Sequence, residues 1–130
     1  MVVEFSDWQC PFCERFARDT LPRLLREYID TGKVRFSYRN NPLTEIHPLA
    51  LQASTAADCA DQQGRFWDMH DAIFAHQRQL TGGGFVEYAR AAQLDVAKFT
   101  RCLDAGTTAR IQADQAEALR LGLQATPVFL

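Results

Sequence analysis

Cys10-Pro11-Phe12-Cys13 follows the apolar run Val2 to Phe5 and begins a segment whose apolar residues recur at helical spacing. Two cysteines three residues apart in the first turn of a helix lie close enough to form a disulfide. The free amide groups and the positive dipole end of the helix stabilise a thiolate at Cys10, and the thiolate is the species that attacks disulfides. A strand, a short turn and this cysteine pair on a helix therefore favour a redox site over a structural disulfide.

The periodicity on either side of this motif predicts an α/β domain. Val2 to Phe5 is predicted as a strand, residues 11–30 as a helix kinked at Pro22, and residues 34–39 as a second strand. Thr126-Pro127 begins a final strand. Glycines, and Asp95 as a predicted N-cap, separate five further helical segments, residues 48–63, 66–77, 86–93, 96–105 and 108–121. This order indicates an α/β core with an all-helical insertion.

Length and composition exclude several classes of protein. The sequence has 130 residues, of which 47% are hydrophobic, and a net charge of -2 at pH 7. This length predicts one domain with its own core, and this charge gives no reason to expect nucleic acid or an anionic membrane as partner. No apolar run approaches the roughly 20 residues of a membrane span. Because both ends fall within apolar, strand-like segments, we expect a longer protein whose export signal lies outside this sequence.

Three segments carry a resemblance to a known family: VEFSDWQCPFC (residues 3–13), FWDMHD (66–71) and GLQATPVF (122–129). Together they resemble the DsbA-like thiol:disulfide oxidoreductases of the thioredoxin superfamily. The resemblance implies one thioredoxin-like domain, with residues 1–40 and 122–130 as its core and residues 41–121 as its helical insertion. That fold continues with another strand and a C-terminal helix, which this sequence lacks. We therefore expect an uncovered sheet edge that favours a homodimer.

The resemblance assigns different roles to the two cysteines of the motif. Cys10 is the attacking and attacked sulfur, and Cys13 is the more buried resolving thiol. The alternatives are a structural disulfide and half of a zinc site, although zinc needs a second ligand pair at metal spacing. Strong oxidants of this family often carry Pro-His between the cysteines, whereas Phe12 cannot donate a hydrogen bond to the thiolate. We predict a reduction potential between about -120 mV, as in DsbA, and about -270 mV, as in thioredoxin.

The same resemblance predicts the residues that contact substrate. Pro127 has the position of the family's cis-proline, opposite the cysteines, where residue 126 pairs with an extended peptide. Thr126 would then place its hydroxyl near the Cys10 sulfur. An ordinary trans proline is the alternative. The aromatic residues Phe5, Trp8, Phe12 and Phe16 are expected mostly in the core. Because Trp8 and Phe12 flank the motif, we also expect them to form part of an apolar surface that binds unfolded substrate.

Two further predictions concern a carboxyl group and a second cysteine pair. Glu4 lies where thioredoxin-like proteins carry a buried acid, proposed to exchange a proton with the second cysteine. A solvent-facing carboxyl is the alternative. Cys59 and Cys102 lie in insertion helices, either as two small buried side chains or as a second disulfide, as in some relatives. Their pairing would contribute about 4 kcal/mol in the chain-entropy model.

The resemblance also implies a function. It indicates a periplasmic or extracytoplasmic enzyme that oxidises cysteine pairs in unfolded or secreted proteins, with no bound cofactor and no metal. Its reduced form would be reoxidised by a quinone-linked membrane partner. A reductase or isomerase of the same fold is one alternative. A redox-sensing domain of a larger membrane protein is the other.

Overall fold

A three-stranded sheet organises the chain, which the computed structural model describes over all 130 residues. The strands β1 (Val2–Ser6), β2 (Phe36–Asn40) and β3 (Val128–Phe129) lie in the order β2-β1-β3. β1 is parallel to β2 and antiparallel to β3. The parallel pair requires a crossover connection, which the first helix supplies. The α/β class predicted from the sequence is thus confirmed.

The first helix, α1, spans residues 11–29 and is not a regular α-helix. Its α-helical turns Pro11–Arg15 and Leu21–Leu24 alternate with π-helical turns Phe16–Thr20 and Leu25–Ile29. The sequence predicts a kink at Pro22, and the structure instead places a wide π turn directly before it. Because Pro22 then lies in the first turn of an α-helical segment, its missing N–H removes no essential hydrogen bond.

Five helices lie between β2 and β3, and their ends are within two residues of the predicted ones. They are α2 (Ala50–Asp61), α3 (Phe66–Ala75), α4 (Gly84–Ala91), α5 (Val96–Asp104) and α6 (Ala109–Arg120). Capping residues define two of the starts: Asp95 accepts from the Lys98 amide and Thr108 from the Ile111 amide. None of the helices has the length and apolar character that crossing a membrane requires.

One hydrophobic cluster joins the cysteine motif to the helical insertion. Its largest members are Trp8, Tyr38, Met69, Ile73, Phe74, Phe85 and Phe99, and both motif cysteines belong to it. The insertion also carries a disulfide between Cys59 on α2 and Cys102 on α5, 43 residues apart in sequence. The pair that the sequence left open is therefore bonded in the structure.

Candidate active site

The cysteine motif lies where β1 turns into α1. Cys10 is the N-cap of the helix, and Pro11 occupies its first turn, where a residue without an N–H is tolerated. The Cys10 sulfur accepts a hydrogen bond from the Cys13 amide at 3.4 Å, and the Cys10 carbonyl accepts from the Glu14 amide at 3.1 Å. Both motif thiols are free and buried. The helix start thus directs its unpaired amides at one sulfur.

The two thiols differ strongly in acidity. The hydrogen bond from the Cys13 thiol lowers the pKa of Cys10 to about 6. Contacts with Thr126 and with backbone amides also lower this pKa, whereas burial raises it. The same hydrogen bond, together with burial, raises the pKa of Cys13 well above its ordinary value. In the reduced protein Cys10 is therefore a thiolate at neutral pH, and Cys13 keeps its proton.

The segment before β3 lies against the Cys10 sulfur. The Thr126–Pro127 peptide bond is cis. The Cys10 sulfur lies 3.4 Å from the Thr126 carbonyl oxygen, across 116 residues of sequence, and donates a hydrogen bond to it when the thiol is protonated. The Thr126 hydroxyl is buried and has no hydrogen-bond partner. The structure thus brings Cys10, Thr126 and Pro127 together, as the resemblance implied, while the roles of Thr126 and Pro127 toward substrate remain predictions.

Glu4 lies in the sheet beneath the motif and is fully buried, so the solvent-facing alternative is wrong. Burial raises the pKa of Glu4 to about 8, a contact with Ser6 lowers it, and the negative charge of Cys10 raises it. A carboxyl group with this pKa is neutral through most of the physiological range and can still release a proton near neutral pH. Its role toward Cys13 remains a prediction.

The structure corrects the prediction that Trp8 takes part in an exposed apolar surface. Trp8 is fully buried, stacks on Tyr38 with ring centroids 4.6 Å apart, and donates from Nε1 to Asn40 Oδ1 at 3.2 Å. Trp8 is therefore a core residue that supports the turn from below. Phe12 is 63% exposed, which leaves it as the aromatic side chain of the motif that can contact a substrate.

Asp7 fixes the turn before Cys10, and its role was not predicted from the sequence. Its buried carboxylate accepts from the Gln9 and Leu43 amides, both at 2.7 Å, and lies 2.8 Å from His47 Nδ1. An aspartate directly after a strand is a frequent turn residue, so the first of these bonds was accessible from the sequence. The contacts with Leu43 and His47 depend on tertiary structure.

Gln77 holds the other side of the turn. Its Nε2 donates to the carbonyls of Trp8 and Cys10, both at 2.9 Å. Gln77 lies just after α3, in a 3-10 turn of the helical insertion. A lone glutamine in a polar segment carries no sequence pattern that marks it as part of a site, so sequence reasoning missed it.

The acidity of Cys10 leads to a testable pH dependence. We expect the rate of alkylation of Cys10 in the reduced protein to rise with a midpoint near pH 6, because the thiolate is the reactive species. The measurement is the rate of iodoacetamide labelling between pH 4 and 10, located by mass spectrometry. A midpoint near the ordinary value of 9.0 would contradict it.

Burial of Glu4 predicts a second pH effect, on stability. Because the pKa of Glu4 is raised, the folded protein resists ionisation of this carboxyl group. The free energy of unfolding should therefore be highest below pH 4.5 and should fall as the pH rises toward 8. Glu4→Gln stays neutral, and we expect it to be more stable than wild type at pH 7 by on the order of 3 kcal/mol. Urea unfolding at pH 4.5, 6 and 8 checks this. A difference that does not grow with pH would contradict the prediction.

Comparisons with known proteins agree with this geometry. The family model described as Thioredoxin matches residues 1–130. A Na(+)/H(+) antiporter, NhaA 3 of Salinispora tropica, is 38% identical over 98% of this chain, and the match covers 19% of the antiporter. The probable disulfide bond formation protein D of Bacillus anthracis is 30% identical over 97% of this chain and 62% of its own length. The chain thus spans about a fifth of the antiporter and less than two thirds of the Bacillus protein.

Among solved structures, oxidised BdbD from Bacillus subtilis superposes with a TM-score of 0.86 at 26% identity, over 99% of this chain and 74% of that one. The thioredoxin-like arrangement expected from the sequence is thereby confirmed, with the helices of the insertion included in the superposition. Because the family model spans every residue and the fold matches this neighbour, the chain belongs to the thioredoxin family and has a DsbA-like fold.

Proposed function

We propose that this protein catalyses thiol–disulfide exchange and oxidises cysteine pairs in exported proteins. The observation that carries the proposal is the cysteine pair at the start of α1, where the N-cap Cys10 sulfur accepts a hydrogen bond from the Cys13 amide and Cys13 is fully buried. This arrangement lowers the pKa of Cys10 and raises that of Cys13. A sulfur with a low pKa is a good leaving group, so a mixed disulfide at Cys10 is released easily. The similarity to a disulfide bond formation protein and to BdbD supports the same activity.

The proposed reaction uses the oxidised motif as the oxidant. A substrate thiolate attacks the Cys10 sulfur, the Cys10–Cys13 bond breaks, and a mixed disulfide with Cys10 forms. A second substrate thiolate then attacks the substrate sulfur of the mixed disulfide. The substrate gains a disulfide, and Cys10 leaves as the thiolate that the helix start stabilises. Exposed Phe12 and the Thr126-Pro127 segment would contact the substrate peptide.

The experiment that tests this proposal is catalytic oxidation of a reduced two-cysteine peptide, with glutathione disulfide as terminal oxidant. We expect many turnovers per protein molecule and a potential between about -120 and -270 mV against glutathione. Insulin reduction by the same preparation measures the opposite direction. Faster insulin reduction than peptide oxidation, with a potential near the lower value, would favour a reductase instead.

The antiporter relatives favour a second candidate function. Seven proteins named Na(+)/H(+) antiporter NhaA match 98–99% of this chain over only about a fifth of their own length. A thioredoxin-family domain joined to a transporter could report redox state to it without turnover. Stoichiometric reaction with glutathione, without catalysis of peptide oxidation, would favour this sensor.

Location and partners form the last part of the proposal. An extracytoplasmic protein, periplasmic in a bacterium with two membranes, is supported by the Cys59–Cys102 disulfide, because disulfides persist in oxidising compartments. A quinone-linked membrane thiol oxidase would then regenerate the motif disulfide, and unfolded or secreted proteins with cysteines would be the substrates. β3 is an edge strand, so a homodimer that pairs two such edges is a further proposal.

A further inference from the structure

One glutamine of the helical insertion binds the backbone of the cysteine motif. Gln77 Nε2 donates to the Trp8 carbonyl and to the Cys10 carbonyl, both at 2.9 Å. A side-chain amide has two N–H groups, so both of its donors are used on this turn. Gln77 is 67 residues from Cys10 in sequence and lies in the 3-10 turn after α3. The contact therefore joins the insertion directly to the start of α1.

The two carbonyl groups depend on Gln77 to different degrees. No backbone amide donates to the Trp8 carbonyl, so Gln77 is its hydrogen-bond donor within the protein. The Cys10 carbonyl already accepts from the Glu14 amide at 3.1 Å and takes Gln77 as a second donor. A carbonyl oxygen has two lone pairs and can accept both bonds. Gln77 thus fixes one peptide group before the Cys10 Cα atom and one after it.

The direction of these peptide groups determines where the Cys10 sulfur lies. Cys10 is the N-cap of α1, with an extended ψ of 122°. An N-cap side chain reaches the free amides of the first turn only when its own backbone is not helical. The Cys10 sulfur accepts from the Cys13 amide at 3.4 Å in this conformation. Because Gln77 holds a carbonyl on each side of Cys10, it restricts the rotations that would carry the sulfur away from these amides.

This restriction matters most when the motif is reduced. In the oxidised motif the Cys10–Cys13 bond itself keeps Cys10 at the helix start. In the reduced protein both thiols are free, and no covalent bond holds the Cys10 sulfur at the amides. Contacts with the backbone of Cys10 then have to maintain the N-cap conformation. The hydrogen bonds from Gln77 should therefore stabilise the reduced protein more than the oxidised protein.

We propose that Gln77 is a positioning residue that keeps the Cys10 sulfur at the amides of the first turn of α1 once the Cys10–Cys13 bond is open. The inference rests on the proposed function and adds a residue of the insertion to its chemistry. Gln77 donates to backbone carbonyls and binds neither sulfur. By stabilising the reduced motif, it favours transfer of the disulfide to a substrate.

The charged and titratable neighbours of Gln77 do not replace this contact. Glu14 and Arg18 line one cavity together with Gln77, and their side chains bind each other at 2.7 Å. His76 lines the same cavity and has its Nδ1 2.8 Å from a carbonyl of α3. Asp7 accepts hydrogen bonds from two backbone amides on the other side of the turn. None of these side chains donates to the Trp8 or Cys10 carbonyl.

The test is the Gln77→Met variant, which keeps the length of the side chain and removes both donors. We expect the midpoint of Cys10 alkylation to rise from near pH 6 by about half a pH unit, the size of change that a helix start produces. At pH 7 the equilibrium with glutathione should then shift about two- to threefold toward the oxidised motif. Iodoacetamide labelling and glutathione buffers, each read by mass spectrometry that locates the thiols, measure the two effects.

The glutathione equilibrium separates positioning from a merely structural role. A loss of packing that is common to the oxidised and the reduced protein cancels in this equilibrium and would leave it unchanged. Gln77→Glu provides a second variant if Gln77→Met does not fold. An ionised carboxylate has nearly the shape of the amide but cannot donate, so this variant should shift the midpoint and the equilibrium in the same directions.

Two other glutamines of the insertion provide matched controls. Gln63 also makes two hydrogen bonds with backbone, accepting from the Asp95 amide at 2.9 Å and donating to the Asp95 carbonyl at 3.2 Å. Gln79 lies in the same 3-10 turn as Gln77 and is exposed. We expect Gln63→Met and Gln79→Met to keep the wild-type midpoint and the wild-type glutathione equilibrium.

Two results would overturn the positioning role. One is a Gln77→Met variant with the wild-type midpoint and equilibrium, and the other is an equal shift in Gln63→Met or Gln79→Met. Neither measurement needs catalytic turnover. If Gln77→Met alone shifts both quantities while wild type oxidises no peptide catalytically, the proposed function fails and the positioning role holds. If wild type turns over and Gln77→Met shifts neither quantity, the proposed function holds and the positioning role fails.

Discussion

A Cys13→Ala variant is expected to accumulate as a covalent complex with its substrates, whereas Cys10→Ala should lose exchange by at least about 1000-fold. Cys13→Ala removes the hydrogen bond from the Cys13 thiol and so raises the pKa of Cys10. Cys10 keeps its position as N-cap, however, and the helix start still stabilises a thiolate there. That thiolate attacks a substrate disulfide, but no resolving thiol remains to release the mixed disulfide. Mass spectrometry of the protein incubated with a peptide disulfide would detect the adduct at Cys10.

The Cys10→Ala and Cys13→Ala variants serve as controls for each other. Both variants remove one buried sulfur from the same core cluster, so a general loss of packing would affect them similarly. Urea unfolding checks that both fold. If Cys13→Ala formed no adduct while Cys10→Ala did, the roles of the two cysteines would be reversed, and the difference in acidity would not determine which sulfur reacts.

The second large effect concerns stability. Replacing both Cys59 and Cys102 with alanine should lower the free energy of unfolding by about 4 kcal/mol, because the disulfide closes a loop across 43 residues of sequence. The measured loss for native disulfides in small domains is typically about 2–5 kcal/mol. Equilibrium urea unfolding of the double variant measures the change. Substituting both residues avoids leaving one reactive thiol.

The motif cysteines have to be removed from this measurement. A background that carries Cys10→Ala and Cys13→Ala lets dithiothreitol act on the Cys59–Cys102 bond alone. In that background, reduction of the bond and the double alanine substitution should destabilise the protein to a similar extent. If the free energy of unfolding were unchanged in both cases, the chain-entropy argument would fail. Residual contacts between the α2 and α5 segments would then already restrict the unfolded chain.

The sequence predicts features that depend on local periodicity and on the motif. Apolar spacing, glycines and caps such as Asp95 placed the five insertion helices within two residues, because these determinants lie within each segment. The resemblance pointed to Pro127 opposite Cys10 and to a buried Glu4, positions that the structure shows.

The features that could not be predicted from the sequence depend mostly on contacts between distant segments. Trp8 looks equally suited to a surface or to a core, and only its stacking on Tyr38, 30 residues later, decides for the core. The π turns of α1 escape a search for a period of 3.6 residues, since each widens the turn locally. Gln77 carries no pattern at all, because the groups that give it a role, the carbonyls of Trp8 and Cys10, come from another part of the chain.

The hydrogen bonds around the turn before Cys10 determine whether the cysteine motif can be transferred to another protein. Asp7 and Gln9 accept hydrogen bonds from the amides of Leu43 and Leu49, and Gln77 donates to two carbonyls of the turn. Each of these hydrogen bonds involves a residue of the helical insertion. Grafting the four-residue motif onto a smaller thioredoxin would leave those groups without partners. A functional chimera should therefore carry residues 41–49 and 75–79 along with the motif.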